Sequence, residues 1–253
     1  MQKYVFFLDI DGTLFNDGVV CRKNRQALTQ ARRLGHLVFI NTARSYSIIP
    51  QKILKMKFDG YVTSMGCSII AEGKKIYTAR MPIEETAEIF DYFNNTGRTV
   101  HLEGDNIFLT NREENRDEMI FVSSGAEIIK RFSSENIPKF FIPGVLSADE
   151  IKRLSERYCF YQHENYAEFC VRGNTKATGI QRTMQYLGMD IKFSVAAGDS
   201  INDIEMLKAA GIAVVMGDAD KKVKEYADIV TCAASAGGVA EGIYGVIGFK
   251  PKS

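Results

Sequence analysis

The sequence predicts a doubly wound α/β fold with a mostly parallel sheet, interrupted by an inserted α+β domain. Three observations carry this expectation. Short, unbroken apolar runs near both ends of the chain suit strands buried on both faces, as in a parallel sheet. Those runs alternate with helical patterns at the spacing of right-handed βαβ units. Between residues 83 and 172 the pattern changes to short strand-like pieces among helical stretches, which reads as a second domain.

The first run, residues 4–8, stops at Asp9. A polar turn follows, then a helix over 23–34 with Ala27, Ala31 and Leu34 on one face and Gly35 as its C-cap. Residues 37–40 form the second strand, which ends at Asn41 and Thr42. The C-terminal third repeats this grammar: a helix over 175–187, a strand over 193–197, a Gly-Asp turn and a helix near 202–210. Short strands at 212–216 and 229–231 complete it. In the middle, strands are expected at 98–102, 107–110 and 168–172, with no cluster of catalytic residue types among them. The expected division is therefore a core of residues 1–82 and 173–253 around an insert of residues 83–172.

Composition narrows the function classes. A chain of 253 residues buries about 75 % of its unfolded surface and needs no disulfide or metal to fold. Hydrophobic residues at 45 % and charged residues at 25 % exclude a disordered or fibrous chain. A formal charge of +1 provides no global field for nucleic acid or an anionic membrane surface. Cys21, Cys67, Cys159, Cys170 and Cys232 are odd in number and contain no CxxC pair, so they read as reduced thiols. His36, His101 and His163 are equally scattered. No apolar run approaches the ~20 residues that span a bilayer, and residues 5–8 are too short for a secretory h-region. A cytoplasmic protein is expected, with neither nucleic acid nor membrane as partner, and in that setting the triplet Asn94-Asn95-Thr96 carries no glycan.

Two acidic motifs carry the chemistry. Asp9-Ile10-Asp11-Gly12-Thr13 directly follows the first strand. Residues two apart on a strand share a face, so both carboxylates point the same way at the sheet's C-terminal end. Open α/β sheets bind ligands there. Like charges this close call for a hard cation with oxygen ligands, such as Mg²⁺. The second motif, Gly198-Asp199-Ser200-Ile201-Asn202-Asp203, also follows a strand and opens a helix, whose dipole favours anions in its first turn. Between the motifs, Thr42 offers a hydroxyl and backbone N–H groups to a phosphate. Lys176 begins a helix, where a cation opposes the dipole unless an anion answers it. The sequence contains no Walker A, GxGxxG, GxSxG or HExxH pattern.

In this chain order the four elements resemble the haloacid dehalogenase-like (HAD) superfamily. GDSINDIEML, beginning at Gly198, and the later GIAVVMGDA and ADIV are similar to Cof-type hydrolases. The resemblance implies a Rossmann-like core in which Asp9 is the nucleophile and Asp11 the general acid–base. It implies Mg²⁺ held by Asp9, the Asp11 backbone carbonyl, Asp199 and Asp203. Thr42, Ala43, Lys176 and Asn202 would bind the phosphoryl group, with Arg44 a candidate substrate contact or else a solvated helix-start arginine. Thr42 lies 31 positions after Asp11, and Lys176 lies 134 after Thr42. That leaves room for a cap only between Thr42 and Lys176, matching the C2 (type IIB) cap.

The chain departs from the family at three places. Ala43 stands in a usual Thr-Gly-Arg, Met65-Gly66-Cys67 replaces Asn-Gly-Ala, and Ala177 follows Lys176 where glycine is common. The implied function is hydrolysis of a small phosphorylated metabolite, a sugar phosphate foremost. A sugar phosphomutase and a non-catalytic phospho-ligand module are the alternatives. Glu103, Arg112, Arg116 and His163 are the cap side chains considered for the leaving group, none of them assigned to the site by sequence.

Overall fold

A computed structural model of the chain describes residues 2–113 and 119–248; Arg116, one of the candidates above, lies outside them. The chain opens with β1 (Val5–Leu8), α1 (Arg22–Arg33), β2 (Leu37–Asn41), α2 (Gln51–Leu54), β3 (Gly60–Thr63), β4 (Ser68–Ala71) and β5 (Lys74–Thr78). A second unit follows: α3 (Ile83–Asn95), β6 (His101–Glu103), β7 (Phe108–Thr110), β8 (Ile120–Phe121), α4 (Gly125–Phe132), β9 (Lys139–Pro143), α5 (Ala148–Ser155), β10 (Tyr158–Gln162) and β11 (Tyr166–Val171). The chain then returns through α6 (Lys176–Tyr186), β12 (Ser194–Gly198), α7 (Ile204–Ala209), β13 (Ile212–Val215), α8 (Lys221–Lys224), β14 (Ile229–Val230) and α9 (Gly238–Ile247).

The larger sheet runs β14-β13-β12-β1-β2-β3-β4-β5. It is parallel from β14 to β3, and the β4–β5 edge is antiparallel. β1 is buried along its whole length because helices cover both of its faces. Val5 and Phe7 pack with Ile180, Met184 and Met206 of α6 and α7 on one side. Phe6 and Leu8 pack with Ala27, Leu28, Val239 and Ile243 of α1 and α9 on the other. This period-2 division of one strand between two cores is the doubly wound arrangement. The chain leaves β1 toward β2 on one side and reaches β12 on the other, so the strand order reverses between β1 and β12. The crevice at their C-terminal ends follows from that topology.

The smaller sheet runs β10-β11-β9-β6-β7-β8. One face packs Leu102, Phe140 and Phe169 against Phe90, Phe93, Ile128 and Leu154 of α3, α4 and α5. The alternate residues Glu103, Lys139, Phe141 and Glu168 line the cavity between the two sheets. All five cysteines are free thiols, and among the described residues no helix is long and apolar enough to cross a membrane.

Several elements differ from their sequence expectation. The strand expected at 98–102 is shifted to His101–Glu103, and the helix near 202–210 is a 3₁₀ turn over Ile201–Asp203 followed by α7. β3 to β5 and α9 carry no clear pattern in the sequence. In α9 the reason is its glycines, which are poor helix formers. Gly242 is there because the helix lies directly on β13: a Cβ at that position would sit 2.5 Å from Val214 Cγ1. Gly60 is required in the same way, with Phe39 and the Ile70 carbonyl 2.2–2.3 Å from a hypothetical Cβ.

Gly242→Ala separates propensity from packing. Propensity alone favours alanine by about 0.8–1 kcal/mol. The buried Val214 opposes it, and we expect a net loss of about 1–3 kcal/mol in denaturant unfolding. Unchanged or raised stability would show that α9 is not seated on β13 as described.

Candidate active site

Asp9 extends β1 by one ladder bond, its N–H donating to the Ala197 carbonyl at 3.0 Å. The chain then turns at Gly12, where φ is +74° and a Cβ would lie 2.3 Å from Asp199 Oδ2. Glycine is thus needed twice, for the left-handed conformation and for the approach of Asp199. Thr13 Oγ1 donates to Asp199 Oδ1 at 2.5 Å, tying the first motif to the second.

Lys176 occupies the first turn of α6, capped by Thr175 and Thr178 in a reciprocal capping box. Its ammonium is 1 % exposed and sits 2.8 Å from Asp9 Oδ1 and 2.6 Å from Asp203 Oδ1. The helix dipole disfavours a cation here, and the two carboxylates answer it. Asp203 is held in turn by the Asp199 and Ser200 N–H groups, each 3.0 Å from its Oδ2, and by Ser200 Oγ at 2.9 Å. Burial works against the Lys176 ammonium, but Asp203 and Asp9 outweigh it and raise its pKa above the ordinary lysine value. The Asp9 carboxyl is pushed up to about 8, by burial first and by Asp203 and Asp199, with Lys176 opposing. Asp199 is raised to about 6 by burial and Asp203, with Thr13 opposing.

One cavity of about 1090 Å³ gathers Asp9, Asp11, Thr42, Ala43, Arg44, Lys176, Asp199 and Asn202. Asp203 lies directly behind Lys176, fully buried. Thr42 follows β2, its N–H bonded to the Val62 carbonyl at 2.9 Å and its hydroxyl accepting from Arg44 N–H at 3.2 Å. Arg44 is not a solvated helix-start residue. It forks onto Asp11, Nε to Oδ2 at 2.7 Å and a terminal nitrogen to Oδ1 at 2.9 Å. The Asp11 carboxylate is thus paired with Arg44 and is not a member of the Asp9–Asp199–Asp203 group.

Between 83 and 172, where the sequence offers no cluster of catalytic residue types, the structure brings a charged cluster together. Lys139 Nζ lies 3.2 Å from Glu103 and 2.8 Å from Glu168, and all three side chains are buried. His163 Nε2 is 3.0 Å from Glu168 and stacks on Tyr166 at 4.3 Å. Burial raises the Glu168 carboxyl, but Lys139 and His163 outweigh it and hold it near 2. Glu103, Lys139, His163 and Glu168 all line the same cavity; Arg112 is not among its lining residues. The signal was present in the sequence: Lys139 and Glu168 each interrupt an apolar strand (Pro138 and Phe140, Ala167 and Phe169), where a charge survives only if it is paired. The insert also touches the core directly. Ser45 N–H donates to Glu103 at 3.3 Å, Ser47 Oγ to the Gly104 carbonyl at 2.9 Å, and Lys75 to Asp105 at 2.6 Å.

Asp9, Asp199 and Asp203 each offer one oxygen, and these atoms lie within 4.8 Å of one another. Three carboxylates with one lysine leave net negative charge in a largely buried site, and an all-oxygen donor set suits a hard divalent cation. Burial first, and the neighbouring carboxylates after it, raise Asp9 and Asp199, which is the direction a nearby cation would offset. The residues therefore fit Mg²⁺.

A family model described as haloacid dehalogenase-like hydrolase matches residues 6–243. The 5-amino-6-(5-phospho-D-ribitylamino)uracil phosphatase YcsE of Bacillus subtilis (strain 168) is 26 % identical over 244 residues, covering 93 % of this chain and 92 % of its own. Among solved structures, BT1666 from Bacteroides thetaiotaomicron, from a study of phosphatases of the HAD superfamily, superposes with a TM-score of 0.83 and 25 % identity, covering 97 % of this chain and 95 % of its own. The HAD subclass IIB sugar phosphatase BT4131 shares the fold, with a TM-score of 0.81, 24 % identity and coverage of 97 % and 99 %.

If the three carboxylates hold Mg²⁺, adding it should raise the melting temperature, and EDTA should reverse the gain. At a hundred times its Kd the stabilisation is about 2.7 kcal/mol. Asp199→Asn should remove most of it. A melting temperature indifferent to Mg²⁺ in the wild-type protein would contradict the assignment.

Proposed function

The chain belongs to the haloacid dehalogenase-like hydrolase family, of the Cof type, and from that premise we propose that it is a Mg²⁺-dependent phosphatase of small phosphorylated metabolites. The observation that carries the reading is Asp9: a buried carboxylate at the strand switch, held by Lys176 and grouped with Asp199 and Asp203. Residues 1–82 and 173–253 are the catalytic core in this reading, and residues 83–172 are a C2-type cap that closes the cavity from above.

In the first half-reaction a carboxylate oxygen of Asp9 attacks phosphorus. The bond to the leaving oxygen breaks, and that oxygen takes a proton from Asp11. In the second, Asp11 takes a proton from water, the water oxygen attacks the aspartyl-phosphate, and Asp9 is restored as inorganic phosphate leaves. Lys176, the Thr42 hydroxyl, the Ala43 backbone and Asn202 hold the phosphoryl oxygens, which is the positioning that phosphoryl transfer needs. Asp9, Asp199 and Asp203, with the Asp11 backbone carbonyl, would hold Mg²⁺, which would supply positive charge beside the transferring group. Both Asp11 oxygens accept from Arg44, and in this reading substrate entry loosens that fork and frees Arg44 for the incoming phosphoryl group.

The leaving group we propose is of sugar or sugar-alcohol size. A cavity of about 1090 Å³ has room for it, and YcsE, the relative at 26 % identity, is named for a phosphoribityl compound.

Phosphate release from p-nitrophenyl phosphate and a sugar-phosphate panel, with Mg²⁺ and with EDTA, tests the reading. Release should require the metal. Asp9→Asn should fall to background, and Asp11→Asn should lose about 10²–10⁴-fold in kcat. Turnover retained by folded Asp9→Asn protein would remove Asp9 as nucleophile. Conversion of a sugar phosphate to its isomer without phosphate release would make the protein a mutase instead.

A further inference from the structure

The cavity has two electrostatically different ends. At the core end, Lys176 and Arg44 stand beside the site proposed for the phosphoryl group. At the insert end, among the described residues, the only lysine or arginine lining the wall is Lys139. It is clamped between Glu103 and Glu168, as Lys176 is between Asp9 and Asp203, but at this end no metal site is proposed to offset the two carboxylates. Glu164, exposed on the same wall, adds a third carboxylate, and Asp218 and Asp220 add two more on the core rim. Protonation of His163 would reduce this excess of negative charge without reversing it. An anionic substituent on the leaving group would give up its hydration and meet no free cation.

We infer that the cavity selects phosphomonoesters whose leaving group is uncharged or carries an ammonium, and rejects those with a carboxylate or a second phosphate. Neutral hydroxyls and an ammonium can both donate hydrogen bonds to a carboxylate-rich wall, whereas an anion can only be repelled by it. Amino sugars, sugars and sugar alcohols carrying one phosphate are the class that fits. Sugar acids, phosphorylated hydroxy acids and bisphosphates are the class that does not. The inference rests on the phosphatase reading above for the orientation of the ligand, phosphate toward Asp9.

Two series that vary charge on a nearly constant frame test it. One is glucosamine 6-phosphate, glucose 6-phosphate and 6-phosphogluconate; the other is phosphoethanolamine, glycerol 3-phosphate and 3-phosphoglycerate. Binding of each to folded Asp9→Asn protein with Mg²⁺ is measured by calorimetry, alongside p-nitrophenyl phosphate release by the wild-type protein. The release assay reports on the phosphatase reading, and the binding order reports on this inference. The acidic member of each series should bind at least tenfold more weakly than its neutral partner, about 1.4 kcal/mol, and the cationic member at least as well as the neutral one. Glu164→Lys, made at an exposed position that the fold tolerates, should narrow the gap for the acidic members. Equal or tighter binding of the acidic members overturns the inference, as does no binding by any member. A ratio unmoved by Glu164→Lys removes charge as its cause and overturns it equally.

Discussion

The buried ammonium of Lys176 is the interaction on which the site depends. It lies between Asp9, from the first strand, and Asp203, from a turn nearly two hundred residues later, and is itself supplied by a third segment. Burying three charges is costly, and the attraction repays it only with close geometry and a satisfied periphery. Both conditions hold. Both contacts are under 3 Å, and Asp203 takes two backbone N–H bonds and a serine hydroxyl on its remaining oxygen. Removing Lys176 would leave two buried carboxylates unpaired beside each other, so the triad holds both ends of the chain in one arrangement.

The surrounding fold makes that triad possible. A parallel sheet whose order reverses beside β1 brings two strand ends together with nothing between them, and each strand end carries an aspartate. Gly12 lets the first loop turn while Asp199 presses against it, and Thr13 joins the two loops. Burial together with this crowding raises Asp9 and Asp199, and the grouped oxygens are of the kind that suits a hard cation.

The insert completes the cavity with a different solution to the same problem. Its own buried lysine, Lys139, is flanked by two carboxylates, as Lys176 is. In the proposed reading, the excess negative charge at Lys176 is that of the metal and phosphoryl site, whereas at Lys139 it faces the leaving group.

Much of this was legible in the residue order. The apolar run ending at Asp9, the spacing to Asp11 and the Gly198–Asp203 motif pointed to the family and to residues that line one cavity, because local pattern dictates strand ends and turns. The unanswered cation at the start of α6 pointed to Lys176 having an anionic partner. Local pattern did not reveal α9, whose glycines follow from contact with Val214, or the Arg44–Asp11 fork. Nor did it reveal the Glu103–Lys139–Glu168 cluster, whose members come from three strands spread over 66 residues of chain. The sequence by itself determined which chemistry the strand ends carry. Which charges neutralise one another, and therefore which remain to meet a ligand, was decided only by the tertiary structure, because ion pairing depends on distances of a few ångströms between segments that no sequence interval measures.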